Sequence, residues 1–285
     1  MPEGDTVWLA AKRLDDALAG HRLIRTHFRV PQLATTDLTG QTVTEVRSRG
    51  KHLLLRTDAG LTLHTHFRMD GTWHLYRAGA HWRGGPQWQV RVVLETDQWC
   101  AVGYRLPVVE LLATHREDDA VGHLGPDLLG ADWDEDEALR RLTAAPAREL
   151  GPALLDQRNL AGIGNLYKTE TLFLSGLTPW TRVSDVTDLP GVVRRAHRLL
   201  NANRGHWHQS TTGSTRRGEE HWVFERSRRP CRRCGQRIRE AMQSEAHHPE
   251  QARVCYWCLH CQVGPAPATD RDRSPAPAGY KRYIP

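Results

Sequence analysis

The apolar positions change period more than once along the chain. Over residues 4–19, Val7, Leu14 and Leu18 fall near one face of a helix, and Gly20 stops it. From His21 to about Tyr104 the pattern becomes short apolar runs at 43–46, 52–55, 61–64 and 89–94. Turn signals such as Asp58-Ala59-Gly60 and Arg83-Gly84-Gly85-Pro86 separate them. Short runs at this spacing predict a two-sheet sandwich. Residues 108–114 read as a short helix closing that domain. Residues 115–137 read as a hinge, with acids at Glu117, Asp118 and Asp119, then Gly122, Gly125-Pro126 and Gly130. The acidic block 132–137 suits the start of a helix, because carboxylates favour a helix N-terminus. Helical patterns follow to about residue 204. Strand-like pieces return at Trp222-Val223-Phe224 and at 253–257, and after Gly264 the chain is Pro/Ala-rich and polar, as a disordered tail would be.

Composition narrows the class. The 285 residues suit two or three domains, with 39% apolar and 25% charged residues, so wholesale disorder is excluded. No run of 18 apolar residues exists, which argues against a membrane span. Met1-Pro2-Glu3-Gly4-Asp5 has no basic n-region, so the expectation is a cytoplasmic protein without a secretory signal. The net charge of +6 is unevenly spread: between Arg194 and Glu240 there are thirteen arginines, no lysine and four glutamates. Such a field is the footprint of a phosphate-binding surface. Lysine occurs only at Lys12, Lys51, Lys168 and Lys281, which hints at a need for its compact charge where it is kept.

Three constellations carry chemistry. Five of the six cysteines crowd into 231–261, which points to a metal rather than disulfides. Cys231-x-x-Cys234 is one knuckle. The second is ambiguous, since Cys255, Cys258 and Cys261 form two overlapping pairs. Generic spacing selects Cys255 and Cys258. A ribbon, however, wants its knuckle in the turn after a strand, and 253–257 is the most strand-like stretch. The choice is therefore Cys231, Cys234, Cys258 and Cys261, holding one structural Zn2+, because four thiolates leave no position open to substrate. His247 and His248 read as a solvated loop pair. The second constellation runs from Asp156-Gln157 through Gly162-Ile163-Gly164-Asn165 to Lys168-Thr169-Glu170, with the shape helix, turn, helix. Its glycines could let backbone N–H groups approach a phosphate, and Asn165 could cap the next helix and aim its amide at the same anion. The third is the N-terminus. Removal of Met1 would leave Pro2 a free secondary amine. An α-amino pKa of roughly 7.7–8.0 leaves much more of it neutral than a lysine, so it could form a Schiff base with Glu3 shuttling protons.

Together these features resemble the formamidopyrimidine-DNA glycosylase/endonuclease VIII family of DNA glycosylase/AP lyases. The matching pieces run in order: Pro2-Glu3-Gly4-Asp5-Thr6, Ser48-Arg49-Gly50-Lys51-His52, His66-Phe67-Arg68-Met69-Asp70-Gly71, the 156–170 block, 218–226, and the cysteine segments to Gln262. The start has the endonuclease VIII-like flavour. The resemblance implies an α+β protein in three parts. These are an N-terminal β-sandwich with its catalytic helix (1–125), a helix–two-turns–helix domain (126–222) and a zinc ribbon (223–263), followed by the tail (264–285). It implies a monomer acting on damaged DNA. Pro2 would be the nucleophile, Glu3 the acid/base group, and Lys51 a hairpin lysine contacting the phosphate beside the lesion. Asn165 and Arg253 would hold further phosphates. In the family an arginine precedes the second cysteine pair by five residues, as Arg253 precedes Cys258, which supports the chosen ligand set.

A nucleotide must leave the stack before an amine reaches its C1′, with phosphates gripped on both sides and an apolar wedge in the gap. Met69 is the candidate wedge; a core methionine in a strand is the plain alternative. Relatives commonly have Gly where Arg68 stands. The segment 103–107 looks short for further gap-filling residues. The stretch 203–218 leaves little room for the capping loop of 8-oxoguanine enzymes, which favours oxidised pyrimidines. The rivals are the same chemistry on oxidised purines, a non-catalytic damaged-DNA-binding protein, and a zinc-ribbon transcription factor.

Overall fold

The computed structural model describes residues 2–245 and 248–267, of 248–251 the backbone alone. Most of the expected tail, 268–285, and His247 lie outside the described residues. The chain divides into two compact units. One holds residues up to Trp133 together with Asn203–Trp207; the other holds Asp134–Ala202 and the chain from His208 onward.

In the first unit, helix α1 (Gly4–Leu18) buries Val7, Ala11, Leu14 and Leu18, a 3–4 residue spacing that lines one face. Gly20 follows at φ +79°, in the left-handed region where a side chain would be strained. Eight strands form two antiparallel sheets. The first sheet runs in the order β2 (Val43–Arg49), β3 (His52–Thr57), β4 (Leu61–His66), β8 (Val108–Ala113). The second runs β1 (Arg25–Phe28), β6 (Val90–Glu95), β7 (Trp99–Tyr104), β5 (Thr72–Arg77). Val46, Leu53, Leu55 and Leu63 from one sheet meet Val92, Leu94 and Ala101 from the other and the apolar face of α1 in one core. Each such leucine contributes about 1.5–3 kcal/mol relative to exposure.

Two expectations for this unit are corrected. Residues 108–114 do not form a helix. Val108–Ala113 is β8, paired residue for residue with β4 from Leu61↔Ala113 to His66↔Val108. A short apolar run cannot by itself distinguish the two, and the open edge of β4 offered backbone partners. The hinge expected at 115–137 narrows to its end, where the boundary between the two units falls after Trp133; its first part is anchored. Its Glu117 is buried and accepts from Arg56 Nε at 2.7 Å, Arg47 Nη2 at 3.0 Å and Thr62 Oγ1 at 2.7 Å. Burial pulls its carboxyl upward, but these three donors outweigh it and hold the group at about 2.

The second unit opens with α3 (Glu135–Thr143), whose start is the acidic block as expected: Asp134 accepts from the Glu137 N–H at 3.0 Å. Helices α4 (Leu150–Leu155), α5 (Asn165–Leu174) and α6 (Leu189–Asn203) follow, then the hairpin β9 (Arg239–Glu245) and β10 (His248–Trp257). The short helix α2 (Asp118–Val121) belongs to the first unit. Helix α5 is buried from Asn165 to Phe173, charged residues included. The buried Lys168 ammonium donates to Cys255 Sγ at 3.1 Å, and Cys255 in turn donates to Gln243 Oε1 at 3.1 Å. The Glu170 carboxylate accepts from the N–H groups of Trp222, Val223 and Phe224, each at 2.8 Å. That arrangement replaces the strand expected at 222–224: the backbone bonds of this apolar triplet go to a buried carboxylate instead of a neighbouring strand.

Candidate functional site

The N-terminal residues sit at the head of α1. Glu3 is the N-cap residue, extended at φ −119° and ψ −171°, and its C=O accepts from the Val7 N–H at 3.1 Å. The Glu3 side chain is fully buried and Pro2 is partly so. A carboxylate here meets the positive end of the helix dipole. An amine at position 2 and a water-shielded carboxylate at position 3, on a rigid helix end, can form a carbon–nitrogen bond and move a proton beside it.

Lys51 lies at the tip between β2 and β3. The tip turns through Gly50 at φ +56°, and the Gly50 N–H donates to Asp127 Oδ2 at 2.7 Å. Arg49 Nη2 donates to the Gly125 carbonyl at 3.2 Å. Burial pushes the Asp127 carboxyl above its usual range, against the opposing pull of the Gly50 and Leu129 amides.

Beside this tip stands a histidine chain that sequence reasoning missed. Glu110 Oε2 lies 3.0 Å from His64 Nδ1, and His64 Nε2 lies 2.8 Å from His52 Nδ1. The His52 and His66 rings meet edge to face at 4.7 Å. Burial, and then the neighbouring imidazoles and Lys51, lower His52 to about 3; burial and then Lys51 lower His66 to about 4. Both rings are neutral at physiological pH and add no positive charge beside Lys51. The signal was present: His64 and His66 alternate on one strand face, and His52 pairs with His66 across the ladder.

His66 also shapes the next turn. Its Nδ1 accepts from the Arg68 N–H at 2.9 Å, and Arg68 takes φ +46°. That backbone region favours glycine, so a side chain at this position is strained. Met69 follows on the β4–β5 turn with 58% of its surface exposed, so it is no core methionine.

In the second unit Asn165 meets the strand that carries Arg253. Asn165 is the first residue of α5, and its Nδ2 donates to the Val254 carbonyl at 2.9 Å, one residue from Arg253 on β10. Arg253 is exposed. Asn165 Oδ1 is buried with no partner among the described residues. The capping role expected of Asn165 is not seen: Gly164 is the N-cap residue and no side chain caps this helix. Gly162 N–H is taken by Gln157 Oε1 at 3.0 Å, so this amide is engaged within the turn itself.

Among the described residues one cluster could hold a metal ion: Cys231, Cys234, Cys258 and Cys261, with sulfurs all within 4.8 Å of one another. The Cys231–Cys261 and Cys234–Cys258 sulfurs are 3.9 and 3.4 Å apart. Sulfurs about 2.3 Å from a common tetrahedral ion would sit at comparable spacing. Cys255 is not in the cluster; it is buried against Lys168 and Gln243. Spacing alone left the second pair open; the structure brings Cys258 and Cys261, and not Cys255, beside Cys231 and Cys234.

Comparison with known proteins gives a consistent likeness. The profile of the formamidopyrimidine-DNA glycosylase N-terminal domain matches residues 1–105, and that of the formamidopyrimidine-DNA glycosylase H2TH domain matches 124–200. A "Probable endonuclease 8 2" of Streptomyces coelicolor is 55% identical over 272 residues, covering 94% of this chain and 96% of the relative. The "DNA-(apurinic or apyrimidinic site) lyase Nei2" of Mycolicibacterium smegmatis is 44% identical over 263 residues, covering 92% and 99%. The Lactococcus lactis Fpg crystallised with DNA containing an abasic site shares the fold, with a TM-score of 0.76 at 21% identity over 92% of this chain and all of that one.

Proposed function

The chain belongs to the formamidopyrimidine-DNA glycosylase/endonuclease 8 family, and on that premise we propose that it is a bifunctional DNA glycosylase and AP lyase of base excision repair. The near chain-long likeness to endonuclease 8 relatives carries this reading. The Pro2-Glu3 pair at the head of α1, where Glu3 is fully buried, would supply its chemistry. The Pro2 nitrogen attacks C1′ of an extruded nucleotide. The C1′–base bond breaks and its electron pair leaves with the base, which takes up a proton. Glu3 protonates the sugar ring oxygen as the ring opens, and the amine proton is lost, leaving an iminium. Successive β- and δ-eliminations release the 3′ and then the 5′ phosphate, so a one-nucleotide gap with phosphate ends remains. Lys51, Asn165 and Arg253 would grip backbone phosphates, and Met69 would fill the vacated stack. No helix among the described residues is long and apolar enough to cross a membrane. Its substrate would place the enzyme in the cytoplasm, with the DNA.

Cys231, Cys234, Cys258 and Cys261 would hold one Zn2+, whose bound form supplies folding energy and no chemistry to the reaction. The chemistry of the donor set fits: four thiols converge, and Cys231 and Cys258 are built into a core with Phe173, Val223 and Ile238.

Oxidised pyrimidines are the favoured substrates. The segment after α6 is short and tied to itself: Thr211 N–H donates to the Glu220 carbonyl at 2.8 Å and Thr212 Oγ1 to the Glu219 carbonyl at 2.7 Å. A loop so pinned has little length to fold over a purine. Incision of oligonucleotides bearing thymine glycol, dihydrouracil, 8-oxoguanine or an abasic site, in single and double strands, tests the reading. Thymine glycol and dihydrouracil should be cut at least about tenfold faster than 8-oxoguanine, a difference of roughly 1.4 kcal/mol in transition-state binding. Equal or faster cutting of 8-oxoguanine would reassign the substrate class, and no cutting of any, the abasic site included, would reject the enzyme.

Cations that pair with phosphates have their own signature. Removing one such cation should flatten the slope of log K against log salt by roughly 0.9 on duplex DNA. Arg253→Ala and Lys51→Ala should each do so and weaken binding to every lesion alike. Asn165→Ala should weaken binding with the slope nearly unchanged, because the amide is neutral. Fluorescence anisotropy on abasic-analogue DNA at several salt concentrations reads this. Wild-type affinity and slope in Arg253→Ala would remove the ribbon hairpin from the DNA interface.

A further inference from the structure

We propose that Asp127 is a positioning residue for Lys51, fixing the β2–β3 tip through the Gly50 amide; this rests on the reading of Lys51 as a reaction-side phosphate contact. Asp127 touches no reacting atom. It acts through the backbone one residue before Lys51.

The geometry uses both carboxylate oxygens. Oδ2 accepts from the Gly50 N–H at 2.7 Å and Oδ1 accepts from the Leu129 N–H at 3.0 Å. One bond ties Asp127 to its own loop and the other ties that loop to the tip. Asp127 is 2% exposed, so neither bond competes with bulk water. Arg49, on the other side of Gly50, is held by the same segment through the Gly125 carbonyl at 3.2 Å and the Asp132 carboxylate at 3.2 Å. Segment 125–132 therefore grips the two residues that precede Lys51, while the His52–His64–Glu110 chain holds the residue that follows it. A lysine side chain is long and flexible, so the placement of its charge depends on how firmly its backbone is held.

The chemistry requires an aspartate. Asparagine has one acceptor oxygen, and its NH2 would face an N–H donor in the second bond, so it can keep only one of the two. Glutamate is one methylene too long for the same pair. A ground-state fold role alone would be served by any residue that fills the space, whereas holding two amides in fixed relation is what sets the tip. Displacement of a phosphate-contacting group by about 1 Å can cost on the order of a hundredfold in rate.

The test is a double-mutant cycle on single-turnover incision of abasic-site duplex, with Lys51→Ala and Asp127→Asn alone and combined. Asp127→Asn alone should slow incision on the order of a hundredfold, with borohydride trapping slowed in parallel and thermal unfolding still cooperative. In the Lys51→Ala background the same change should have little further effect. An equal drop in both backgrounds, or a wild-type rate in Asp127→Asn, overturns the proposal. Should Asp127→Asn fail to fold, Asp127→Glu carries the same comparison. Hydrogen exchange at the Gly50 amide, read by NMR, is independent of the reaction. Protection in the wild type and its disappearance in Asp127→Ala, which can keep neither bond, are expected, and an unchanged Gly50 amide in that variant refutes the bond. If the wild-type enzyme neither traps nor cuts abasic DNA, the functional reading fails while the exchange result still decides whether Asp127 holds the tip.

Discussion

An enzyme that retains Met1, or carries residues ahead of it, should lose strand cleavage by roughly 10³-fold or more, the scale expected when a covalent nucleophile is removed. DNA binding should survive, because the groups proposed to hold phosphates lie elsewhere in the chain. Borohydride should trap a covalent complex of the processed enzyme with abasic DNA and should trap nothing with the blocked one. Glu3→Gln separates the two roles. The side chain is fully buried at the head of α1, so the substitution keeps its shape and removes its proton transfer. Base removal should fall by about 10²–10⁴, the usual contribution of a positioned acid or base, with affinity intact. A fully active enzyme bearing an N-terminal tag would sink the assignment of Pro2.

Loss of one ribbon cysteine should have the second largest effect. Cys258→Ser or Cys261→Ser should release the metal, since structural zinc in small modules supplies about 10–16 kcal/mol of folding free energy. The damage should spread beyond the knuckle, because Cys258 packs in one core with Phe173 of α5 and with Val223 and Ile238. Affinity for abasic DNA should drop at least about tenfold, the equivalent of roughly 1.4 kcal/mol, as β10 and Arg253 lose their support. Cys255→Ser should keep one zinc per chain, because its sulfur faces Lys168 and Gln243 and not the cluster. Metal analysis of the purified variants decides: zinc lost from Cys255→Ser and retained in Cys261→Ser would reverse the ligand set.

What could be read from the sequence was what local pattern dictates. The period of Val7, Leu14 and Leu18 gives α1, the alternating runs give the sandwich, and the cysteine spacing with its preceding strand gives the cluster. What could not be read depends on distant partners. The 108–114 run is a strand because β4 had an edge to fill. The 222–224 triplet is a turn because Glu170, more than fifty residues earlier, takes its amides. Asp127 looked like one acid among many in a hinge; only the fold shows that it faces Gly50 across 77 positions of sequence. The histidine chain was legible in principle, from alternation and ladder register, but only once β3 and β4 were paired.

The bonds of Lys168 have a consequence in time. Its partner Cys255 lies 87 residues further along the chain, and Asn165 waits for Val254 across 89. At roughly 5–20 residues per second, synthesis leaves α5 complete for several seconds before β10 exists. Through that interval the lysine cannot be buried at its final place, and a buried ammonium without its partner is costly. The second unit therefore cannot consolidate helix by helix in the order of translation. Its last-made hairpin is also its closing piece, which makes the unit a late folder held by contacts of high sequence separation.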